Sequence, residues 1–523
     1  IDAGISGVYA YPGTPSTEIT EYIQRSKIAK ELGIHSSWSV NEKTAMETAL
    51  GMSYAGKRAM TVMKHVGLNV AADVFMNMSV SGINGGLVVV VADDPSMHSS
   101  QNEQDSRCYG RFAMIPILEP SNQQECYDII KYAFDLSEKM GLPIMVRLVT
   151  RLSHSRAGIK VSDRRKQNDI NLPVDSTQFQ LIPAYARGRY QHLVDIQSDN
   201  RESSENSIFN QYFDGHDKSM GIIAAGIGYN YLMENYEDGK CPHPILKISQ
   251  YPLPKNLVKK LFNKCKKVLI LEDGYPFIEE VLSDYFGESK KIMGRLTGHL
   301  NRVGELNPDN ISKALGFEVK ITSEIPKIVS GRPPELCIGC AHRDLFEAIN
   351  QLKTENNDQQ VFGDIGCSAL GALTPYQSIN TLIDMGASIT MAKGAADAGI
   401  HPSIAIIGDS TFTHSGMTGL LEAVIENTPV TIIISDNSAI AMTGAQDSSA
   451  SGRIVNICRG IGVDENHLKI ITPLHKNLNE NIDLIRNEID YKGVSVVIAQ
   501  RPCVQLSKEQ KDRLNELKKV SLN

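Results

Sequence analysis

Three times along this chain, short apolar runs of strand length alternate with stretches whose apolar residues recur at helical spacing. That alternation constrains the fold more than any other feature. Up to about residue 150 the runs are GVYAYP, RAMTVMK, GGLVVVVADD and LPIMVRL, with helical spacing over 41–54 and 124–140. The pattern restarts at Met220 (GIIAAGIGYNYLMENY, PILKISQYPLP, KKVLILEDGYPFIEEVL) and again at Cys337 (VFGDIG, SIAIIGDS, VTIIISDN, VSVVIAQRP). Strand–helix alternation predicts parallel sheets covered by helices on both faces, so the expectation is an α/β chain of three parallel-sheet domains. Polar residues from 151 to about 215 read as an exposed connector, where domain boundaries fall. SEIPKIVSGRPPEL reads as a second linker, and LSKEQKDRLNELKKVSLN as a charged helical tail. The expected segments are 1–160, a connector at 161–214, 215–330, 331–510 and a tail at 511–523.

Composition excludes several classes. At roughly 150 residues per domain, 523 residues are too many for one domain. With 41% hydrophobic and 22% charged residues the chain is neither disordered nor collagen-like. Lys+Arg 53 against Asp+Glu 60 gives −7, which invites neither nucleic acid nor a membrane surface. The longest apolar run, LVVVVA, is strand-sized, whereas a bilayer span needs about 20 residues. Nine scattered cysteines suit no disulfide-stapled secreted fold, so a reducing cytoplasm is expected. The chain opens at Ile1 on what reads as the end of a helix, and an N-terminal piece is expected to precede it.

Asp409 ends one apolar run and Asn437 the next, with a helix-compatible segment between them. In a right-handed βαβ unit both residues emerge side by side at the carboxyl edge of the sheet. They would supply two hard oxygen ligands, with a turn carbonyl near Ala439 as a third, a partial site of the kind Mg²⁺ takes when phosphate completes its shell. Gly-Asp at a strand end also simply caps turns, so the residues alone leave the ligand open. Cys337 and Cys340 form a C-x-x-C, Cys367 follows a strand and Cys503 follows the last one. Four soft thiolates hold an iron–sulfur cluster or zinc, and a redox thiol pair is a further alternative. The other five cysteines read as small buried hydrophobes.

Gly408-Asp409-Ser410 and Asp436-Asn437 resemble the thiamine diphosphate-binding motif, with Ser in place of its last Gly and Asp in place of its first Asn. YPGTPSTEI, NEKTAMETALG, MKHVGLNVAADV, GGLVVVVADDPSMHSSQNEQDSR, CIGCAHR, GDIGCSALG and GDSTFTHSGM extend the resemblance over nearly the whole chain. They resemble the 2-oxoacid:ferredoxin oxidoreductases, in particular the large subunits of the indolepyruvate ferredoxin oxidoreductases. The resemblance implies pyrimidine- and diphosphate-binding thiamine folds in the first and third domains, and a transketolase C-terminal-like middle domain. It implies that Asp409, Asn437 and the backbone of Ala439 hold Mg²⁺, and that Gly366, Cys367, Gly408 and Ser410 join them around the cofactor. Glu42 would hydrogen-bond the aminopyrimidine as the catalytic carboxylate; read without the family, it is a first-turn residue suited to the helix dipole. Cys337, Cys340, Cys367 and Cys503 would ligate a [4Fe–4S] cluster, while His342 stays a local helix-start residue with the diphosphate as its one possible contact. Thr14, Arg107 and His65 would contact substrate, Arg107 by gripping its carboxylate with two hydrogen bonds. The alternative for Arg107 is a surface ion pair with Asp105 or Glu103, and for His65 a structural role.

The implied activity is oxidative decarboxylation of aryl-pyruvates to aryl-acetyl-CoA and CO2, with coenzyme A as co-substrate and electrons passed to ferredoxin. The implied partners are a small (beta) subunit, in a hetero-oligomer, and ferredoxin. One departure stands out: such large subunits usually end in a ferredoxin-like domain, and here no cysteine follows Cys503. Either the chain is truncated or a separate ferredoxin module serves it. A non-oxidative arylpyruvate decarboxylase or carboligase is the alternative activity, opposed by the four cysteines. A non-catalytic electron-transfer or scaffold subunit is opposed by Glu42, Asp409 and Asn437 together.

Overall fold

Six strands of the first segment are β1 (Gly7–Ala10), β2 (His35–Trp38), β3 (Ala59–Lys64), β4 (Leu87–Asp93), β5 (Ile117–Leu118) and β6 (Ile144–Val149). They lie in the order 5-6-4-3-1-2, every neighbouring pair parallel. β4 is buried at every position, as a run without polar alternation must be when helices cover both faces of its sheet. The covering helices Glu42–Tyr54 and Gln123–Met140 start where an Asn side chain, Asn41 or Asn122, accepts an orphan first-turn amide. The computed structural model describes residues 1–286, 291–319, 326, 328–331, 334–355 and 359–520.

The middle segment contributes β7 (Gln211–Phe213), β8 (Met220–Ala225), β9 (Ile245–Ile248), β10 (Gln250–Tyr251), β11 (Lys267–Leu271) and β12 (Ile292–Met293). Five of these form a second sheet, order 12-11-8-9-7, with β7 antiparallel at its edge. β10 leaves that sheet and pairs antiparallel with β5, so a strand of the middle segment edges the first sheet. The first and middle segments therefore fall into one compact unit, 1–324, and the remainder into another, 325–523. The third sheet is parallel throughout, order 13-14-15-19-18, from β13 (Gln360–Phe362), β14 (Ser403–Gly408), β15 (Thr431–Asp436), β18 (Leu468–Ile471) and β19 (Ser495–Gln500). A two-stranded hairpin, β16 (Ala439–Ile440) and β17 (Gln446–Asp447), stands apart from it.

One expectation changes. The polar connector is extended and mostly exposed only as far as about residue 174; it then forms helices Pro183–Asp195 and Gln197–Glu205 and strand β7. A few of its polar residues are buried by bonding: Asn210 Nδ2 donates to the Gln250 carbonyl at 2.9 Å, and Asn210 Oδ1 accepts the Ser249 and Gln250 amides. Of the second expected linker, residues 323–325, 327, 332 and 333 lie outside the described residues, as do 521–523 of the tail. The rest of the tail forms the helix Lys508–Val520. Among the described residues, no helix is long and apolar enough to cross a membrane.

Candidate active site

β14 and β15 are adjacent and parallel with Gly408 opposite Ser435, so Asp409 and Asp436-Asn437 leave the sheet side by side at its carboxyl edge. Asp409 is buried; its Oδ1 accepts the Ser410 amide at 2.7 Å, whereas its Oδ2 makes no hydrogen bond. Burial, reinforced by the neighbouring Asp436 carboxyl, pushes Asp409 well above the usual carboxylate range. A buried carboxylate oxygen without a partner is costly, and a cation or a donor at that point would offset the cost. Asn437 Oδ1 accepts the Ala439 amide at 3.0 Å across a turn that takes Ser438 to φ 58. Thr411, two residues after Asp409, donates to the Ile365 carbonyl at 3.1 Å and so ties this turn to the Gly366-Cys367 loop. Gly366 adopts φ 129, open in practice only to glycine. Past Asp409 the helix opens into a π-turn, Phe412–Gly416, a distortion frequent at functional sites.

Cys337, Cys340, Cys367 and Cys503 line one cavity in this unit, together with His342 and Asn437. The Cys503 amide donates to the Asn437 carbonyl at 2.8 Å, joining the last cysteine directly to the Asp409/Asn437 edge. Burial, with repulsion from the neighbouring thiolates, pushes Cys367 up to about 12 and raises Cys340 and Cys503 as well. Neutral thiols are the stable form without a cation, and a cationic group would deprotonate them. All four are free of disulfides. Among the described residues, no three of these sulfurs lie within 4.8 Å of one another. Gln505 donates to two of them, its side chain to Cys337 Sγ and its amide to Cys503 Sγ, each at 3.4 Å.

The other unit carries a second cluster at the carboxyl edge of its first sheet. Glu42 opens the helix after β2, is buried, and lies flat on Gly67: a Cβ there would stand 2.5 Å from Glu42 Oε1. His65, directly after β3, is buried, with Nε2 3.1 Å from the Asn102 carbonyl and Nδ1 unpartnered. Thr14, on the loop after β1, receives a 3.4 Å hydrogen bond at its carbonyl from Ser99 Oγ. Thus Glu42, His65 and Thr14 share one sheet edge, where ligands bind in open α/β folds.

Arg107 requires a correction. Its side chain is 0% exposed, and it holds Asp105 through Nε–Oδ1 at 2.9 Å and Nη2–Oδ2 at 2.5 Å. Its Nη1 lies 3.0 Å from Glu272 and donates to the Tyr251 hydroxyl at 3.2 Å, and Nη2 reaches the Tyr275 carbonyl at 3.1 Å. The partner is Asp105, as one expectation had it, but the pair is buried between the first two sheets, and the guanidinium has no donor left for a substrate. Sequence reasoning places His342 at a helix start with the diphosphate as its possible contact, and passes over Lys64. His342 lines the cysteine cavity with Nδ1 3.5 Å from Cys340 Sγ, its pKa lowered by burial to about 4. Lys64 ends β3 beside Glu42 and Asp94, and burial lowers it to about 8 although both carboxylates act to raise it. The Lys-His pair of MKHVGLN, at the end of an apolar run, carries the only sequence signal for it.

Residues 1–206 match the family described as pyruvate flavodoxin/ferredoxin oxidoreductase, thiamine diphosphate-binding, and 364–490 match the C-terminal binding domain of thiamine pyrophosphate enzymes. The indolepyruvate oxidoreductase subunit IorA of Methanothermobacter thermautotrophicus is 36% identical over 96% of this chain and 85% of its own length. Its counterpart in Pyrococcus horikoshii is 38% identical over 96% and 83%. A solved 2-oxoglutarate:ferredoxin oxidoreductase from Magnetococcus marinus aligns over 60% of this chain and 62% of its own at 16% identity, with a TM-score of 0.46.

Proposed function

Because this chain belongs to the family of the indolepyruvate oxidoreductase subunit IorA, we propose that it decarboxylates aryl-pyruvates oxidatively to aryl-acetyl-CoA and CO2, passing electrons to ferredoxin. The observation that carries the oxidative reading is the four cysteines lining one cavity with Asn437, joined to the Asp409 edge by the Cys503–Asn437 hydrogen bond. Thiamine diphosphate, when bound, supplies the carbon that takes up the electron pair released as CO2 leaves. The chain's residues hold and orient it. Asp409, Asn437 and the Ala439 carbonyl hold Mg²⁺ on the diphosphate, which gives Asp409 Oδ2 its missing partner. Gly366, Cys367, Gly408 and Ser410 shape the surrounding turns, and Glu42 hydrogen-bonds the aminopyrimidine. The four thiolates hold a [4Fe–4S] cluster, and Gln505 offers two N–H donors of the kind that tune such a cluster. A small subunit completes the enzyme as a hetero-oligomer, coenzyme A takes the acyl group, and the reaction runs in the cytoplasm.

Anaerobic reconstitution tests the whole reading. The chain with its small subunit, given indolepyruvate, thiamine diphosphate, Mg²⁺ and coenzyme A, should reduce a viologen dye and form indoleacetyl-CoA, with iron and sulfide near four each per chain. Indoleacetaldehyde without dye reduction would establish the non-oxidative alternative instead.

Asp409→Asn tests the metal assignment separately. Mg²⁺ with thiamine diphosphate at about 100 times its Kd should stabilise the wild-type chain by about 2.7 kcal/mol in thermal unfolding. The variant should lose most of that. Since the cation displaces a proton held by Asp409, the wild-type response should weaken as pH falls. An undiminished response in the variant would remove Asp409 from the site.

A further inference from the structure

With Arg107 enclosed among Asp105, Glu272, Tyr251 and Tyr275, the edge that carries Glu42, Thr14 and His65 needs another cation to receive a 2-oxoacid. Lys64 stands there. It is the last residue of β3, immediately before His65, and its aliphatic stem runs along the YPGTPST loop: a Cβ on Gly13 would lie 3.1 Å from Lys64 Cγ and Cδ. Its Nζ donates to the Ser99 carbonyl at 2.9 Å, and Ser99 Oγ in turn donates to the Thr14 carbonyl.

An ammonium has three donors. Among the described residues, the Ser99 carbonyl is the only hydrogen-bond partner of the Lys64 ammonium, and no carboxylate lies within ion-pair distance of it. Asp94, one of the two charged groups that act on Lys64, is already engaged: it accepts the Thr150 hydroxyl at 2.6 Å, the Ser99 amide at 2.8 Å and the Ser100 hydroxyl at 2.7 Å. Glu42, the other, is the residue assigned to the cofactor. The half-buried Lys64 thus keeps two donors and its charge beside the catalytic carboxylate.

We propose that Lys64 binds the carboxylate of the 2-oxoacid substrate, the part first assigned to Arg107. The assignment rests on the 2-oxoacid reading above and deepens it. A charged hydrogen bond to a leaving carboxylate should hold the substrate before CO2 departs and should not be needed to bind thiamine diphosphate. With Lys64 lowered to about 8, against the raising influence of Asp94 and Glu42, its charge is present below pH 8 and lost above it, so substrate affinity should fall as pH rises through 8.

The test compares Lys64→Met and Lys64→Arg with wild type in the reconstituted complex. Lys64→Met should raise KM for indolepyruvate about 10- to 100-fold at pH 7, with thiamine diphosphate affinity within about twofold. Lys64→Arg should recover most of the loss, and it should remove the rise of KM above pH 8, because Arg keeps its charge there. As inhibitors, indole-3-propionate should weaken against Lys64→Met by the same factor, whereas indole-3-acetone, which lacks the carboxylate, should bind both alike. An unchanged KM in Lys64→Met, or equal weakening of both inhibitors, would overturn the proposal. So would lost thiamine diphosphate binding, which would place Lys64 with the cofactor. If Lys64→Met fails to fold, the pH dependence of wild type against Lys64→Arg decides: persistence of the rise in the arginine variant rejects Lys64. If wild type turns over no aryl-pyruvate, the functional reading fails, and indole-3-propionate affinity then judges Lys64 by itself.

Discussion

Glu42→Gln is expected to lower turnover of an aryl-pyruvate by about two to four orders of magnitude, the range over which a positioned acid–base group acts. Thiamine diphosphate affinity should change far less. Gln keeps the size of Glu, and size matters here because the carboxyl lies against the bare face of Gly67 with no room for a Cβ. The Asn41 cap and its capping box with Thr44 hold the first helical turn, so the variant should keep its fold. Lost turnover with intact cofactor binding therefore reports the charge and proton-accepting power of Glu42. Steady-state kinetics beside calorimetric titration with thiamine diphosphate measures both, and wild-type rates in the variant would sink the assignment.

Arg107→Met should lower stability by roughly 3–5 kcal/mol, the cost of removing one partner from a buried ion pair. Asp105, Glu119 and Glu272 surround the guanidinium, all buried, and Arg147 shares Asp105 and Glu119. The loss should depend on pH with a definite sign. Burial raises Glu272 to about 7, partly offset by Arg107, above the 4.5 of the open chain. The folded state therefore holds a proton that the unfolded state releases, and this group's contribution to stability falls as pH rises from 4.5 to 7. Without Arg107 its pKa climbs further, so the variant should lose more stability at pH 8 than at pH 6. Asp105 is buried yet held below the ordinary range by Arg107 and Arg147; without Arg107 it too is pushed up, which acts in the same direction. Urea denaturation at the two pH values checks this. A large rise in KM with stability unchanged would restore Arg107 to the substrate.

The sheets were legible in the sequence wherever a strand carries a continuous apolar run, as in LVVVVA of β4 or TIIIS of β15, because burial on both faces leaves no polar alternation. β2 reads HSSW and β5 is two residues long, and neither offers such a run; register with neighbouring strands defines them instead. Asp409, Asn437 and the Cys337–Cys340 pair could be read locally, from strand ends and a C-x-x-C, whereas Cys367 and Cys503 join that pair only through the resemblance and the fold. Arg107 was misplaced because Glu119, Tyr251, Glu272 and Tyr275 reach it only through the fold, while Asp105, two positions away, was visible. Lys64 was missed for the complementary reason: a lysine at a strand end looks solvated until the loop after β1 closes over its stem.

The strand Gln250–Tyr251 bears on how this chain can be recombined. By sequence it belongs to the middle segment, but its ladder is with β5, and its tyrosine carries a hydroxyl that donates to Glu119 at 2.6 Å and accepts from Arg107. A chimera cut at residue 215 would import a foreign edge strand and would leave Arg107 facing an unmatched ring. Grafts between relatives should therefore exchange residues 1–324 as one cassette, because the interchangeable unit is larger than the sheet.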